Sequence, residues 1–204
     1  MLRNFFIAIL AVSGAFAQAP LPQLKVEPTG GGSYFYVKNT APQPLTGYLI
    51  ELVDYPGSSY SLWTDEAAGE PLAPGAEKKT RVANMTVGAV PDYVKLEAAI
   101  YADGSTAGVP EKVAQFIERR KQLLATTREL IVRMEKPGTT SADLRQWADS
   151  LDPGKRLTQA SINSAAARGL IFETAGMLDS HPAAEILAQL KAHEKALAEA
   201  TSRN

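Results

Sequence analysis

All seven tyrosines of this chain fall between Tyr34 and Tyr101, together with Phe35 and Trp63, and beyond Tyr101 the spacing of the apolar residues changes period. This change constrains the fold more than any other feature, because periods of 2 and 3.6 commit the backbone to different hydrogen-bonding partners. Strands gathered in one half and helices in the other predict an α+β chain rather than an alternating α/β one.

In the first half the residue types suit strands. Val94, Leu96, Ala98 and Ile100 alternate with Lys95, Glu97, Ala99 and Tyr101, the pattern of a half-buried strand. Further strands are expected at 24–27, 34–39, 45–54, 59–63 and 78–83. Turn residues separate them: Thr29-Gly30-Gly31-Gly32, Pro42-Gln43-Pro44, Tyr55-Pro56-Gly57-Ser58 and Ala73-Pro74-Gly75. Segment 45–54 is apolar on both faces, with Leu45, Leu49 and Val53 on one and Tyr48, Ile50 and Leu52 on the other. An opposing sheet would cover one face, and the downstream helices are the economical cover for the second.

Residues 103–108 read as a turn-rich exit from the last strand, after which Pro110 suits the first turn of a helix and Glu111 its dipole. Val113, Phe116, Ile117, Leu124, Ile131 and Met134 then recur at helical spacing until Pro137-Gly138. A second helix is expected from Thr140 or Ser141, capped through Asp143, with Leu144, Trp147 and Leu151 on one face before Asp152-Pro153-Gly154. A third spans 158–177, where Ala165-Ala166-Ala167 and Gly169 would allow close contact with a neighbouring helix. A fourth follows Asp179-Ser180-His181-Pro182 and presents Ile186, Leu187, Leu190 and Leu197.

The N-terminus carries the pattern of an export leader. Arg3 precedes a compact apolar run at 5–12, and Ala15 and Ala17 flank Phe16 as the small residues of a cleavage site, so cleavage is expected after Ala17 with Gln18 at the new terminus. A cut after Ala19 would place Pro20 next to the scissile bond, where its ring obstructs an extended peptide. The apolar run is far shorter than the roughly 20 residues of a spanning helix. Cysteine is absent, so neither a disulfide nor lipid attachment at position 18 is available, and the mature chain must fold by burial alone. These features place the mature chain, without a transmembrane span, in the periplasm or outside a bacterium.

Removal of residues 1–17 leaves about 187, enough for two small domains, here 22–103 and 110–201. Lys and Arg number 21 against 22 Asp and Glu. That balance gives no drive toward nucleic acid. Without cysteine, and with His181 and His193 as the only histidines, a structural zinc site of the usual kind is excluded. No cofactor is implied.

Three segments carry a resemblance: Val37-Lys38-Asn39-Thr40 leaving a strand, Pro44-Leu45-Thr46-Gly47-Tyr48-Leu49-Ile50-Glu51-Leu52 entering the next, and Leu72-Ala73-Pro74-Gly75-Ala76 before a later one. Residues 22–103 thereby resemble the immunoglobulin-like β-sandwich modules of exported bacterial proteins, of the FxLYD and CARDB kind. Val53-Asp54-Tyr55 departs from the FxLYD order. The resemblance implies an antiparallel sandwich and a binding or spacer module without shared catalytic residues; the four-helix region that follows resembles no known family and rests on periodicity alone.

Candidate sites are few. Asp103-Gly104-Ser105-Thr106 has oxygen ligands but not the calcium-loop spacing, since Ala114 stands at the twelfth position, and it reads as a turn. No Gly-x-Ser-x-Gly elbow occurs, and both histidines lie at or within the last helix, His181 as an entry residue and His193 as a solvated group on a mixed face. Asp65, Glu66 and Glu70 form an acidic surface loop after Trp63, which a glycosidase would have to shape into two carboxylates about 5 to 9 Å apart. Tyr34 and Tyr36 share one strand face, and Tyr55, Tyr60 and Trp63 surround a Gly-Ser loop. Exposed, these rings would stack on sugars or grip a peptide; buried, they are core. Arg119, Arg120 and Lys121, with Arg128 and Arg133, make the first helix basic, and Arg120 and Lys121 interrupt its apolar stripe. Their stems are expected to lie on the stripe with the charges in water. Asn84-Met85-Thr86 matches a glycosylation sequon.

The function expected on these grounds is that of an exported, non-enzymatic interaction or scaffold module with a protein or carbohydrate partner. The alternatives are a carbohydrate-active hydrolase or carbohydrate-binding protein acting around Trp63, and a self-associating spacer; oligomeric state is left open.

Overall fold

The structure, a computed structural model, describes residues 19–54, 60–83, 91–151 and 158–203. The leader with Ala15, Ala17 and Gln18, the loop residue Tyr55, the sequon and Asp152-Pro153-Gly154 lie outside the described residues. Among the described residues the strands are β1 (Gln23–Thr29), β2 (Gly32–Lys38), β3 (Leu45–Leu52), β4 (Tyr60–Asp65), β5 (Glu77–Ala83), β6 (Val94–Tyr101) and β7 (Thr106–Gly108). The helices are α1 (Pro110–Met134), α2 (Ser141–Ser150), α3 (Gln159–Leu178) and α4 (Ala183–Thr201). The chain is α+β, with two antiparallel sheets of order β1-β2-β5 and β4-β3-β6-β7.

Alternation along β2 turns Phe35 and Val37 inward and leaves Tyr34 and Tyr36 on the outer face. Phe35, Val37 and Val82 from one sheet share a core with Tyr48, Ile50, Leu52, Val94, Ala99 and Tyr101 from the other. Leu45 joins this core rather than the face of Leu49, because the β3–β6 ladder slips between Leu45 and Gly47 and reverses the alternation there. Buried Asn39 ties the loops together. Its amide donates to the Gln43 and Leu72 carbonyls and its Oδ1 accepts from the Ala41 N–H, while Leu45 and Leu72 exchange backbone bonds.

Every residue of β3 is buried, as its two apolar faces require. The face away from the other sheet is covered by α1. Lys112, Phe116 and Arg120, one helical turn apart, meet Glu51, Leu49 and Gly47 in turn: Lys112 pairs with Glu51 at 2.6 Å, Phe116 packs with Leu49, and Gly47 faces both Phe116 and Arg120. Four residues of helix advance about 6 Å and two of strand about 6.8 Å, so the steps keep register over the whole contact. Gly47 lets the helix approach, since a Cβ there would lie 2.7 Å from Phe116 Cζ.

Beyond the sheet the same helix becomes the centre of a second core, in which Leu130 and Met134 pack with Leu144, Ala148, Ile171, Ala175, Ile186 and Leu190. The Thr140–Asp143 capping box opens α2 as its spacing predicts, and Thr158 with Ser161 does the same for α3. Residues 103–105 form the expected turn, Asp103 Oδ1 accepting from the Ser105 N–H and hydroxyl. β7 was not expected: three residues carry no readable period, and pairing with Ala98, Ala99 and Ile100 is what makes them a strand.

Candidate functional site

The residues singled out for binding do not form one cluster. Tyr34 and Tyr36 lie half-buried on the outer face of the three-stranded sheet, ring centroids 6.5 Å apart. The Lys79 ammonium sits 4.0 Å from the Tyr34 ring, and the Tyr36 hydroxyl donates to Glu27 at 2.6 Å. This is a self-satisfied cross-strand ladder. Tyr60 turns into the core between the sheets, where burial raises its pKa. Lys121 is exposed and pairs with Glu118 at 3.6 Å.

Trp63 and Asp65 point the other way, toward the helices, opposite Leu49 and Gly47 on β3. Here two expectations are corrected. Arg120 does not extend its charge into water: it is 1% exposed, and its Nε and Nη2 donate to Asp65 Oδ2 and Oδ1 at 3.0 and 2.8 Å. Asp65 is not part of an acidic surface loop either; it is the last residue of β4, with its side chain 8% exposed. Gly47 leaves the space in which the guanidinium lies, and the bidentate geometry makes a buried ion pair tolerable where a lone charge would not be. Glu66, the next residue, pairs with Lys78.

Arg119, on the adjoining face of α1, lies over the Trp63 ring at 5.6 Å, and Trp63 in turn packs against Phe116 with centroids 5.5 Å apart. Arg119 makes no ion pair among the described residues. Burial pushes its pKa below the ordinary value and Arg120 adds to the effect, while Asp65 opposes it.

These side chains form one wall of a cleft of about 420 Å³ between β4 and the helices, within the size range of small-ligand sites. Ala165, Ala166 and Gly169 of α3 line it. Of the small residues expected to seat a neighbouring helix, Ala167 is buried, whereas a Cβ at Gly169 would meet nothing within 4 Å, so at Gly169 the small size leaves room instead. Leu123 of α1, Leu170 and Glu173 of α3 and His193 of α4 complete the lining. His193 is thus not simply solvated. It is half-buried, and burial lowers its pKa against the opposing pull of Asp65 and Glu173.

Of the expected residues, then, the cleft unites Trp63 and Arg119, with Asp65 behind them. Glu173 and His193 were missed as site residues because nothing near them in sequence distinguishes them from ordinary helix-surface groups. Among the described residues no three of His, Asp and Glu are grouped to hold a metal ion, and no helix is long and apolar enough to cross a membrane. No family model, curated protein or solved structure matches the chain.

Proposed function

We propose that this protein is an exported, non-enzymatic binding module of the bacterial envelope or secretome. Its strands act as a rigid immunoglobulin-like platform of the FxLYD or CARDB kind, and its helices wall off a ligand site against that platform. The observation that carries this reading is the cleft at the sheet–helix junction, roomy and lined by a desolvated arginine on a tryptophan. Two observations favour binding over hydrolysis. Both oxygens of Asp65 are engaged by Arg120, which makes it a counter-ion rather than a proton carrier, and this leaves Glu173 as the other carboxylate lining the cleft. No serine or threonine lines the cleft among the described residues.

Trp63 is a built-in reporter. The chain has two tryptophans, and Trp147 lies away from the cleft, under the Arg133 guanidinium at 4.2 Å. In a Trp147→Phe variant, fractions of envelope extract and of small metabolites are titrated against Trp63 emission. A saturable change without consumption of the ligand is the expected result. Catalytic turnover of the ligand, or emission that no fraction alters, overturns the reading.

A further inference from the structure

The charges around the cleft are arranged for a ligand of a particular kind. Asp65 and Arg120 neutralise one another in a buried pair. Arg119 and Glu173 remain, and neither makes an ion pair among the described residues, with each other or with a third group. One opposite charge thus stands on α1 and one on α3, both lining the same cavity. Arg119 is half-buried over Trp63, whereas Glu173 is exposed.

From these two opposite charges, each without an ion pair among the described residues and both lining one cavity, we infer that the cleft binds a small zwitterion, of the α-amino acid or dipeptide class, with its carboxylate on Arg119 and its ammonium on Glu173. The inference rests on the reading of the cleft as a binding site. A guanidinium is the natural partner of a carboxylate, because its planar fork donates to both oxygens at once. A purely anionic ligand would satisfy Arg119 but face Glu173, and a cationic one would do the reverse. A neutral sugar would desolvate both charges and return a full counter-charge to neither. Trp63 and Leu123 offer apolar surface to the ligand's side chain, and the gap over Ala165, Ala166 and Gly169 admits it.

Isothermal titration of the full-length protein with the free α-amino acids and with dipeptides tests the assignment, each ligand being compared with its N-acetyl and C-amide forms. At least one zwitterion should bind, and capping either end should weaken it about tenfold or more. Arg119→Gln should bind the acid and its amide alike, and Glu173→Gln should bind the free and acetylated amines alike. A merely unfolded variant would not produce that exchange of selectivities. Gly169→Leu should remove binding while leaving the melting temperature unchanged or higher, since a Cβ there meets nothing within 4 Å and glycine is a poor helix former. Binding that ignores the caps, or no binding by any zwitterion, overturns the proposal. If an uncharged saccharide binds instead and Gly169→Leu abolishes it, the cleft stands as a ligand site and the zwitterion is wrong. If wild type and Gly169→Leu take up nothing from envelope fractions alike, the binding reading itself falls.

Discussion

Replacing Arg120 by Met removes the guanidinium and keeps most of the bulk. In the native protein that guanidinium is 1% exposed and donates to both oxygens of Asp65, whose side chain is 8% exposed. Losing one partner of such a pair strands the other charge out of water, a loss of about 3 to 5 kcal/mol. For a chain of this length, about 2 to 4 °C per kcal/mol converts this to a fall in melting temperature of roughly 6 to 20 °C. Asp65→Leu should cost a similar amount, because it strands Arg120. The double variant, which removes both charges, should recover most of the loss, so the two effects are coupled by about 2 kcal/mol or more. Urea denaturation followed by tryptophan emission and by far-ultraviolet circular dichroism supplies the four free energies. A loss below about 1 kcal/mol for Arg120→Met, the range of exposed pairs, would refute the burial argument. Strictly additive single effects would refute the pairing.

Gly47→Ala places a methyl 2.7 Å from Phe116 Cζ and 3.1 Å from Arg120 Nη2, so overpacking should cost about 1 to 3 kcal/mol, read as a shifted urea midpoint; an unchanged midpoint would mean that α1 does not lie on β3 as described. Burial raises the Tyr101 pKa to about 12 from its ordinary 10.0. The folded state keeps that phenol protonated while the unfolded chain ionises, so stability should be intact below pH 10 and fall between pH 10 and 12, and Tyr101→Phe should lessen the fall; phenolate absorbance gives the titration directly. His193 shifts the opposite way, its pKa lowered by burial from 6.5. As pH drops below about 6.5 the unfolded chain takes up the proton first, so stability should decline there and the decline should be weaker in His193→Gln, with proton resonances of the imidazole reporting the lowered value.

Part of this molecule can be read from local sequence because the forces concerned act over a few residues. Alternation marks β6, paired faces mark β3 as covered on both sides, and Thr140 with Asp143 marks where α2 begins, since strand pleat and helix cap are settled by neighbours in the chain. The same local reading misplaces Arg120. On the helix alone it interrupts an apolar stripe and belongs in water. Its partner Asp65 and the space above Gly47 come from strands distant in sequence, and only packing α1 across β3 and β4 turns an apparent defect into a buried pair. The ladder slip that redirects Leu45, and the pairing that makes β7 a strand, are likewise events between segments.

The cleft shows the division most clearly. Sequence by itself determined the order of the first six strands and the four helices, the absence of cysteine, and the residue types at Trp63 and Arg119. That Glu173 and His193 share a cavity with them was decided only in three dimensions, where α3 and α4 pack against α1 and bring their exposed faces round to β4. Periodicity records which side of an element is apolar, and it carries no information about which distant element that side will meet.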